Sequence, residues 1–133
     1  MKKLIMTVCA SALLIACGVT GMGTNGGKQP SLVNTKWQLA DQVKGKTPTL
    51  NIENGKITGN GGCNNYFGNL TADEATGSFS AGSIGATKMA CPNMDAEQAF
   101  FGMLPKANKY RVSGNSLELY KDGLLLLKFS KVQ

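Results

Sequence analysis

Cysteine is the residue type in this sequence with the clearest potential for covalent chemistry. The chain of 133 residues contains four cysteines and no histidine. Without histidine, no Ser–His or Cys–His nucleophile can form, and the commonest protein ligand of metal ions is missing. Cys17 closes an apolar N-terminal segment, whereas Cys63 and Cys91 lie in the body of the chain. Lipidation and disulfide formation are therefore the reactions that the sequence favours.

The first 17 residues have the organisation of a secretory signal. Lys2 and Lys3 give a positive start, residues 4–16 are almost entirely apolar, and Leu-Ile-Ala precedes Cys17. The apolar stretch is short for a transmembrane helix and fits the core of a signal peptide. Its last four residues resemble the lipobox of bacterial lipoproteins, which implies removal of residues 1–16 and lipid on the cysteine. A plain signal peptide without lipidation is the alternative.

Lipid on Cys17 predicts a membrane-anchored protein, because two acyl chains anchor stably where one does not. Gly18 stands where lipoproteins held at the inner membrane carry aspartate, and by resemblance to lipoproteins of two-membrane cells this favours the outer membrane. The predicted location is therefore the cell envelope, facing the periplasm. Glycine-rich residues 17–31 are predicted to be a flexible linker and residues 32–133 a single folded domain.

Cys63 and Cys91 form an even pair within the predicted domain, and an oxidising compartment makes such a pair a candidate disulfide. The bond would close a loop of about 29 residues and contribute about 3–4 kcal/mol. A metal site would need further ligands, and the spacing is not that of a redox Cys-x-x-Cys motif. Two free thiols remain an alternative, because sequence does not show whether the backbones approach closely enough.

A glycine-rich segment, GNGGCNNYFG, surrounds the first of these cysteines at residues 59–68. Such a turn can hold phosphate when a helix follows it, but strand-like residues follow here and the Lys-Ser/Thr of a phosphate loop is missing. A tight turn with asparagines bonding nearby backbone is favoured instead. If the cysteines bond, two polar segments meet in a candidate binding patch. Its predicted members are Asn60, Asn64, Asn65, Met89 and Asn93.

Short strands joined by turns dominate the rest of the domain. Alternating apolar and polar residues predict a strand at Thr35–Ala40, and Asn54-Gly55 is a strong hairpin signal. Two or three strands are expected between Phe67 and Met89. The continuous apolar run Leu124–Leu127 predicts a strand that is buried on both faces. The remaining predicted strands are Leu50–Glu53, Lys56–Thr58, Tyr110–Val112, Leu117–Tyr120 and Leu124–Phe129.

One helix is predicted over Ala96–Leu104. Asp95 and Gln98 resemble a capping box, and Pro105 should end or kink the last turn. An apolar stripe at helical spacing is predicted to pack on the core; it comprises Ala99, Phe100, Met103 and Leu104. The predicted fold class is α+β, a compact antiparallel β-sheet or partly closed barrel of short strands with one packed helix.

The charge distribution argues against a nucleic-acid partner. The formal net charge is +6, and loss of two lysines with residues 1–16 would leave 12 basic against 8 acidic side chains. The basic residues are spread among strands, as on a solvated face, whereas nucleic-acid surfaces carry dense Lys and Arg with aromatics. An anionic membrane surface is the alternative partner for this charge.

The sequence Gly61-Gly62-Cys63-Asn64-Asn65-Tyr66-Phe67-Gly68, the segment Thr87–Pro92 and the helix with Glu97 and Phe100 resemble the META-domain family. That family includes HslJ-like heat-inducible lipoproteins. The resemblance implies an antiparallel β structure with a packed helix in an envelope protein tied to stress, drug tolerance, secretion or motility. It supplies no catalytic residue and no cofactor that could be transferred to this sequence.

The predicted function is that of a non-enzymatic, stress-related envelope lipoprotein that binds another envelope component. No acidic, basic or nucleophilic residues form a recognisable catalytic set, and no cofactor is predicted. The first alternative is a module that binds a small ligand or peptide through Asn60–Asn65 and Met89–Asn93. The second is a protease-inhibitor-like domain braced by its disulfide.

Overall fold

A computed structural model describes residues 27–133. Signal peptide 1–16, lipidation at Cys17 and most of the predicted linker lie outside these residues and stay predictions. Within residues 27–133, no helix has the length and apolar character needed to cross a membrane. The elements are β1 Thr35–Leu39, β2 Thr49–Glu53, β3 Lys56–Asn60, β4 Asn65–Asp73, β5 Ser78–Ala81, β6 Gly85–Ala86, α1 Asp95–Met103, a 3₁₀ turn Leu104–Lys106, β7 Lys109–Ser113, β8 Ser116–Lys121 and β9 Leu124–Lys131.

The strands form one antiparallel sheet, and it contains more long-range strand pairings than the local sequence patterns indicate. The strand order is β3-β2-β1-β9-β8-β7-β5-β4-β6, and β3 also pairs with β4 from Lys56–Asn69 to Asn60–Asn65. Following the pairings from strand to strand therefore leads from β3 through the sheet and back to β3. The pairing with the fewest residues is that of β5 with β7, which consists of the single pair Ser78–Lys109 and is called the narrow link below. The α+β class with one helix on an antiparallel sheet is confirmed for the described residues.

The core lies on the inner face of this sheet, where alternate residues of neighbouring strands meet. Trp37 of β1, Phe79 of β5 and Phe129 of β9 are almost completely buried. Helix α1 adds Phe100, whose ring meets Phe129 edge-to-face at 6.2 Å between centroids. The predicted hairpin at residues 54–55 is present, with Gly55 at φ +74° as such turns require.

The helix confirms part of the prediction and corrects the rest. Phe100 and Leu104 are buried, but Ala99 of the predicted stripe is exposed. The predicted capping box is wrong, because Met94 occupies the N-cap without a side-chain hydrogen bond and Asp95 already lies in the first turn. The α-helix ends one residue before the 3₁₀ turn that contains Pro105, as the position of the proline predicts.

The expectation that β9 is buried on both faces is wrong. Leu127 is buried, but Leu124 and Leu125 are 65% and 46% exposed. An antiparallel strand in this sheet has one inner face, and a bulge between Leu119 and Tyr120 shifts the register of β9 near its start. The bulge pairs Leu125 with Tyr120, so the apolar run passes from the core to the surface.

Residues 28–30, which the sequence assigns to the linker, contact the folded domain. The Gln29 backbone N–H donates to Glu74 O at 2.7 Å, and its side-chain oxygen accepts from Val112 N at 3.0 Å. The Tyr110 hydroxyl donates to Pro30 O at 3.2 Å. Residues 28–30 therefore lie beside β7, near the narrow link of the sheet.

Candidate functional site

The structure joins Cys63 to Cys91 in a disulfide, with sulfur atoms 1.93 Å and Cα atoms 6.0 Å apart. Cys63 lies in the turn between β3 and β4, and Cys91 lies in the segment between β6 and α1. The bond links two segments that are 28 residues apart in the chain. It brings the two halves of the predicted binding patch to the same end of the sheet.

Glu97 of helix α1 is the centre of this site. Its side chain is only 3% exposed, which would be costly for an unpaired charge. Its carboxylate accepts hydrogen bonds from Cys63 N at 3.1 Å, Asn64 N at 2.6 Å and Asn64 Nδ2 at 2.7 Å. Burial alone would raise the pKa of Glu97, but these bonds outweigh it and hold the pKa below its ordinary value. The residue therefore acts as an anionic cap on the β3–β4 turn.

Asn64 connects Glu97 to Thr87 and Met89 by hydrogen bonds. Its Nδ2 donates to Glu97 and to Met89 O at 3.1 Å, and its Oδ1 accepts from Thr87 Oγ1 at 2.8 Å and Met89 N at 2.7 Å. All four hydrogen-bonding positions of a primary amide are thus occupied. Since Asn64 is 3% exposed, it has no polar capacity left for a ligand.

The other predicted patch residues divide between turn support and surface. Asn60 is buried; its Nδ2 donates to Cys63 O and Asn65 Oδ1, and its Oδ1 accepts from Gly62 N. Asn65 is exposed, and Asn93 is exposed in a left-handed conformation at φ +60°. The structure brings the asparagines of the turn together, but it uses them mainly to satisfy each other and the backbone.

Glycine is required in this turn because the helix lies directly against it. A Cβ on Gly61 would stand 2.6 Å from Phe101 Cζ and 3.0 Å from Glu97 Oε1. Gly62 has φ +124°, which L side chains rarely adopt. The glycine-rich sequence is therefore explained by close packing against α1.

A groove of about 670 Å³ runs beside this network, between the Met89 segment (residues 87–91) and the side of helix α1 that carries Gln98 and Phe101. Met89 is 55% exposed on one wall, and Phe101, half-buried, stands on the other with its ring edge-on to Tyr66. Asn64 and Glu97 lie beneath, already hydrogen-bonded to each other. The groove is lined by Asn64, Ile84, Ala86, Thr87, Lys88, Met89, Ala90, Met94, Glu97, Gln98 and Phe101.

The arrangement suits binding of apolar groups better than acid–base chemistry or metal coordination. A general base works best with a pKa near the working pH, but the pKa of Glu97 is lowered and its oxygens are held by donors. Among residues 27–133, no group of three or more His, Cys, Asp or Glu side chains is placed to hold a metal ion.

Residue-by-residue reading of the sequence missed the role of Glu97. The resemblance includes Glu97 only as part of a motif. The sequence does favour a tight turn whose asparagines bond nearby backbone, and Asn60 and Asn64 make such bonds, but it gives no carboxylate partner for them. A signal was present, because Glu97, Phe100 and Leu104 share one helix face at spacings of three and four. An acid on the apolar face of a helix predicts a buried, paired carboxylate.

A family model described as the META domain matches residues 30–133. An NMR structure of a protein from Burkholderia xenovorans is similar, with a TM-score of 0.64 at 24% identity over 77% of this chain and 84% of that one. A crystal structure of a DUF4847 family protein from Bacteroides vulgatus gives 0.55 at 17% identity over 74% and 93%. These likenesses show a shared fold. A search among curated proteins finds no match.

Proposed function

The chain belongs to the META-domain family, and on this premise we propose that it is a lipid-anchored envelope protein that binds another envelope component. The contact is made through the groove between the Met89 segment and helix α1, and the bound group is a short apolar peptide segment of the partner. The groove itself is the observation that supports this proposal.

The walls of the groove favour such a segment. Met89 and Met94 are unbranched and polarisable, so they adapt to different apolar shapes. Phe101 offers a half-buried aromatic wall, which gives large contact area at low entropic cost. Lys88 and Gln98 line the groove as well and can bond the backbone of a bound peptide.

The network beneath the groove supplies rigidity to this surface. Met89 is held through both its backbone N–H and its C=O by Asn64, and the disulfide holds the same segment at Cys91. A wall that is ordered before binding loses little entropy when the partner arrives. In this proposal Glu97 and Asn64 position the wall and do not touch the bound segment, and the protein is not an enzyme.

The anchor in this proposal is lipid on Cys17, with the domain on the periplasmic side of the outer membrane and a role under envelope stress. The sequence of the first 17 residues supports the anchor, and the family resemblance supports the stress role. An intact mass of the membrane-extracted protein tests the anchor directly. A mass that begins at Cys17 with added acyl chains is expected; an unmodified N-terminus would remove the membrane from the proposal.

Site-specific photo-crosslinking tests the groove. A photoreactive residue at Met89 in the full-length, lipidated protein should give a specific adduct in cells. The same residue at Val132, an apolar position 41% exposed and outside the groove lining, is the matched control. The purified adduct partner should then bind at least about tenfold more weakly to Met89→Glu, while Val132→Glu binds normally. Equal adducts from both positions, or equal binding by both variants, would contradict the proposal.

A further inference from the structure

The turn between β8 and β9 presents an apolar tip that neither the core nor the groove uses. Leu124 and Leu125 are 65% and 46% exposed, and Tyr120 pairs with Leu125 across the turn. We propose that this tip, defined as Tyr120, Leu124 and Leu125, rests on the surface of a bilayer that contains anionic lipid. The bilayer is a contact distinct from the groove ligand, and the inference does not depend on the groove.

The backbone explains why these side chains leave the core. The bulge between Leu119 and Tyr120 puts Leu125 opposite Tyr120, while Leu127 remains opposite Leu119 in the interior. Two leucines at the end of a hairpin protrude into solvent. A protein partner would need a flat or concave surface to cover them. A fluid bilayer accommodates such a protruding tip without a shaped partner, and tyrosine is favoured at its interface.

The charges around the tip complement an anionic surface. Lys121 directly precedes the turn, and Lys109 is paired with Tyr120 on the neighbouring strand. Lys106 lies two residues before Asn108, whose amide donates to Asp122 Oδ1 at 2.9 Å. Asp122 is the acid of the turn, and Lys121 Nζ stands 3.6 Å from its Oδ2. Beyond the tip, Lys128 and Glu118 face each other at 4.0 Å. The excess is basic, and each basic residue near an anionic leaflet adds to binding.

The first described residues lie near the tip. Gln29 lies beside Val112, and Val112 is three residues along β7 from Lys109, which neighbours the tip. Strand spacing then places Gln29 about 15 Å from Leu125. For a lipid anchor that precedes these residues, as in the proposed function, the attachment to the domain is therefore on the part of the sheet that carries the tip.

Vesicle binding tests the inference without the lipid anchor. The mature chain with Cys17→Ser is sedimented with vesicles of phosphatidylethanolamine and phosphatidylglycerol, and with vesicles of phosphatidylcholine alone. Binding to the anionic vesicles is expected, and this binding should weaken as salt is added. The pair Leu124→Ser and Leu125→Ser should lower the partition coefficient at least about tenfold, because apolar contact is lost. The matched control pair is Val33→Ser and Val132→Ser, at positions 43% and 41% exposed.

A second measurement keeps the inference falsifiable if the serine variant folds poorly. In Leu125→Trp, lipids brominated on the acyl chain should quench the new fluorescence, whereas Val132→Trp and the buried Trp37 should be unaffected. Absence of quenching, or equal vesicle binding by both serine variants, would overturn the inference. A concentration-dependent dimer that the Leu124 and Leu125 substitutions abolish would overturn it in favour of a second copy. Groove crosslinking from Met89 is independent of all these results.

Discussion

Replacement of Asn64 by alanine should show whether the asparagines of the β3–β4 turn hold the fold or bind a ligand. The amide makes four hydrogen bonds in a site that is 3% exposed, and one of them goes to the Glu97 carboxylate. Neutral bonds contribute about 1 kcal/mol each and a bond to a charged group about 2 kcal/mol. The expected loss is therefore about 5 kcal/mol.

That loss is a large share of the stability of an ordinary domain, which is about 5–15 kcal/mol. Each kcal/mol lowers the melting temperature of a domain of this size by about 4–8 °C, so Asn64→Ala should melt at least about 20 °C below the parent. Thermal and urea unfolding of the mature chain, followed by circular dichroism, measure the change. The matched control is Asn65→Ala, whose exposed side chain accepts one bond from Asn60 and should cost about 1 kcal/mol or less.

Equal stability of the two variants would refute this reasoning, because the two asparagines differ in burial and in bonding. Normal stability of Asn64→Ala combined with loss of partner binding would instead restore the polar patch predicted from the sequence. Loss of both stability and binding is expected, since the amide of Asn64 holds the backbone of Met89 on both sides.

Three further changes test other contacts of the same site. Glu97→Gln should destabilise the protein by about 2–4 kcal/mol at neutral pH; because the pKa of Glu97 is lowered on folding, its stabilisation is present above the ordinary value of about 4.3 and is lost as pH falls further. Replacing Cys63 and Cys91 together by alanine should cost about 3–4 kcal/mol in urea unfolding. Gly61→Ala should cost about 1–3 kcal/mol through its clash with the helix, whereas Gly102→Ala, with open space around it, should gain about 0.5–1 kcal/mol.

Each of these has a result that would count against it. A gap between Glu97→Gln and the parent that stays constant from neutral pH to below pH of about 4 would show that the carboxylate is not the stabilising form. An unchanged urea midpoint without the cysteines would mean that hydrogen bonds alone hold the Met89 segment. A Gly61→Ala variant as stable as Gly102→Ala would show that helix α1 does not press on the turn.

The local strand pattern of this protein was predictable, and the long-range pairing was not. Alternation predicts that Trp37 points inward, and Asn54-Gly55 predicts the β2–β3 hairpin, because both signals act within a few residues. The pairing of β3 with β4 and of β1 with β9 depends on packing across the whole chain. The leucine run of β9 led to a wrong prediction, because a strand that is buried on both faces and a strand that is shifted by a bulge can have the same apolar sequence.

The candidate site was predictable only in part for a similar reason. Cys63 and Cys91 could be paired by counting cysteines and by the expected compartment, without knowledge of the fold. Glu97 and Asn64 are 33 residues apart, and their contact exists only once helix α1 covers the β3–β4 turn. An asparagine in a glycine-rich turn can be solvated or buried, and the sequence is the same in both cases. Its burial could therefore not be predicted from the sequence.

The pairing of the first strand with the last has a consequence for how the sheet folds. Trp37 of β1 lies opposite Lys131 of β9, 94 residues further along the chain. The sheet cannot complete its hydrogen bonding until these distant segments have met, and the entropy of closing so long a loop is lost before the strand pair stabilises the fold. Folding of this domain is therefore expected to be slow compared with that of a helical bundle of similar size.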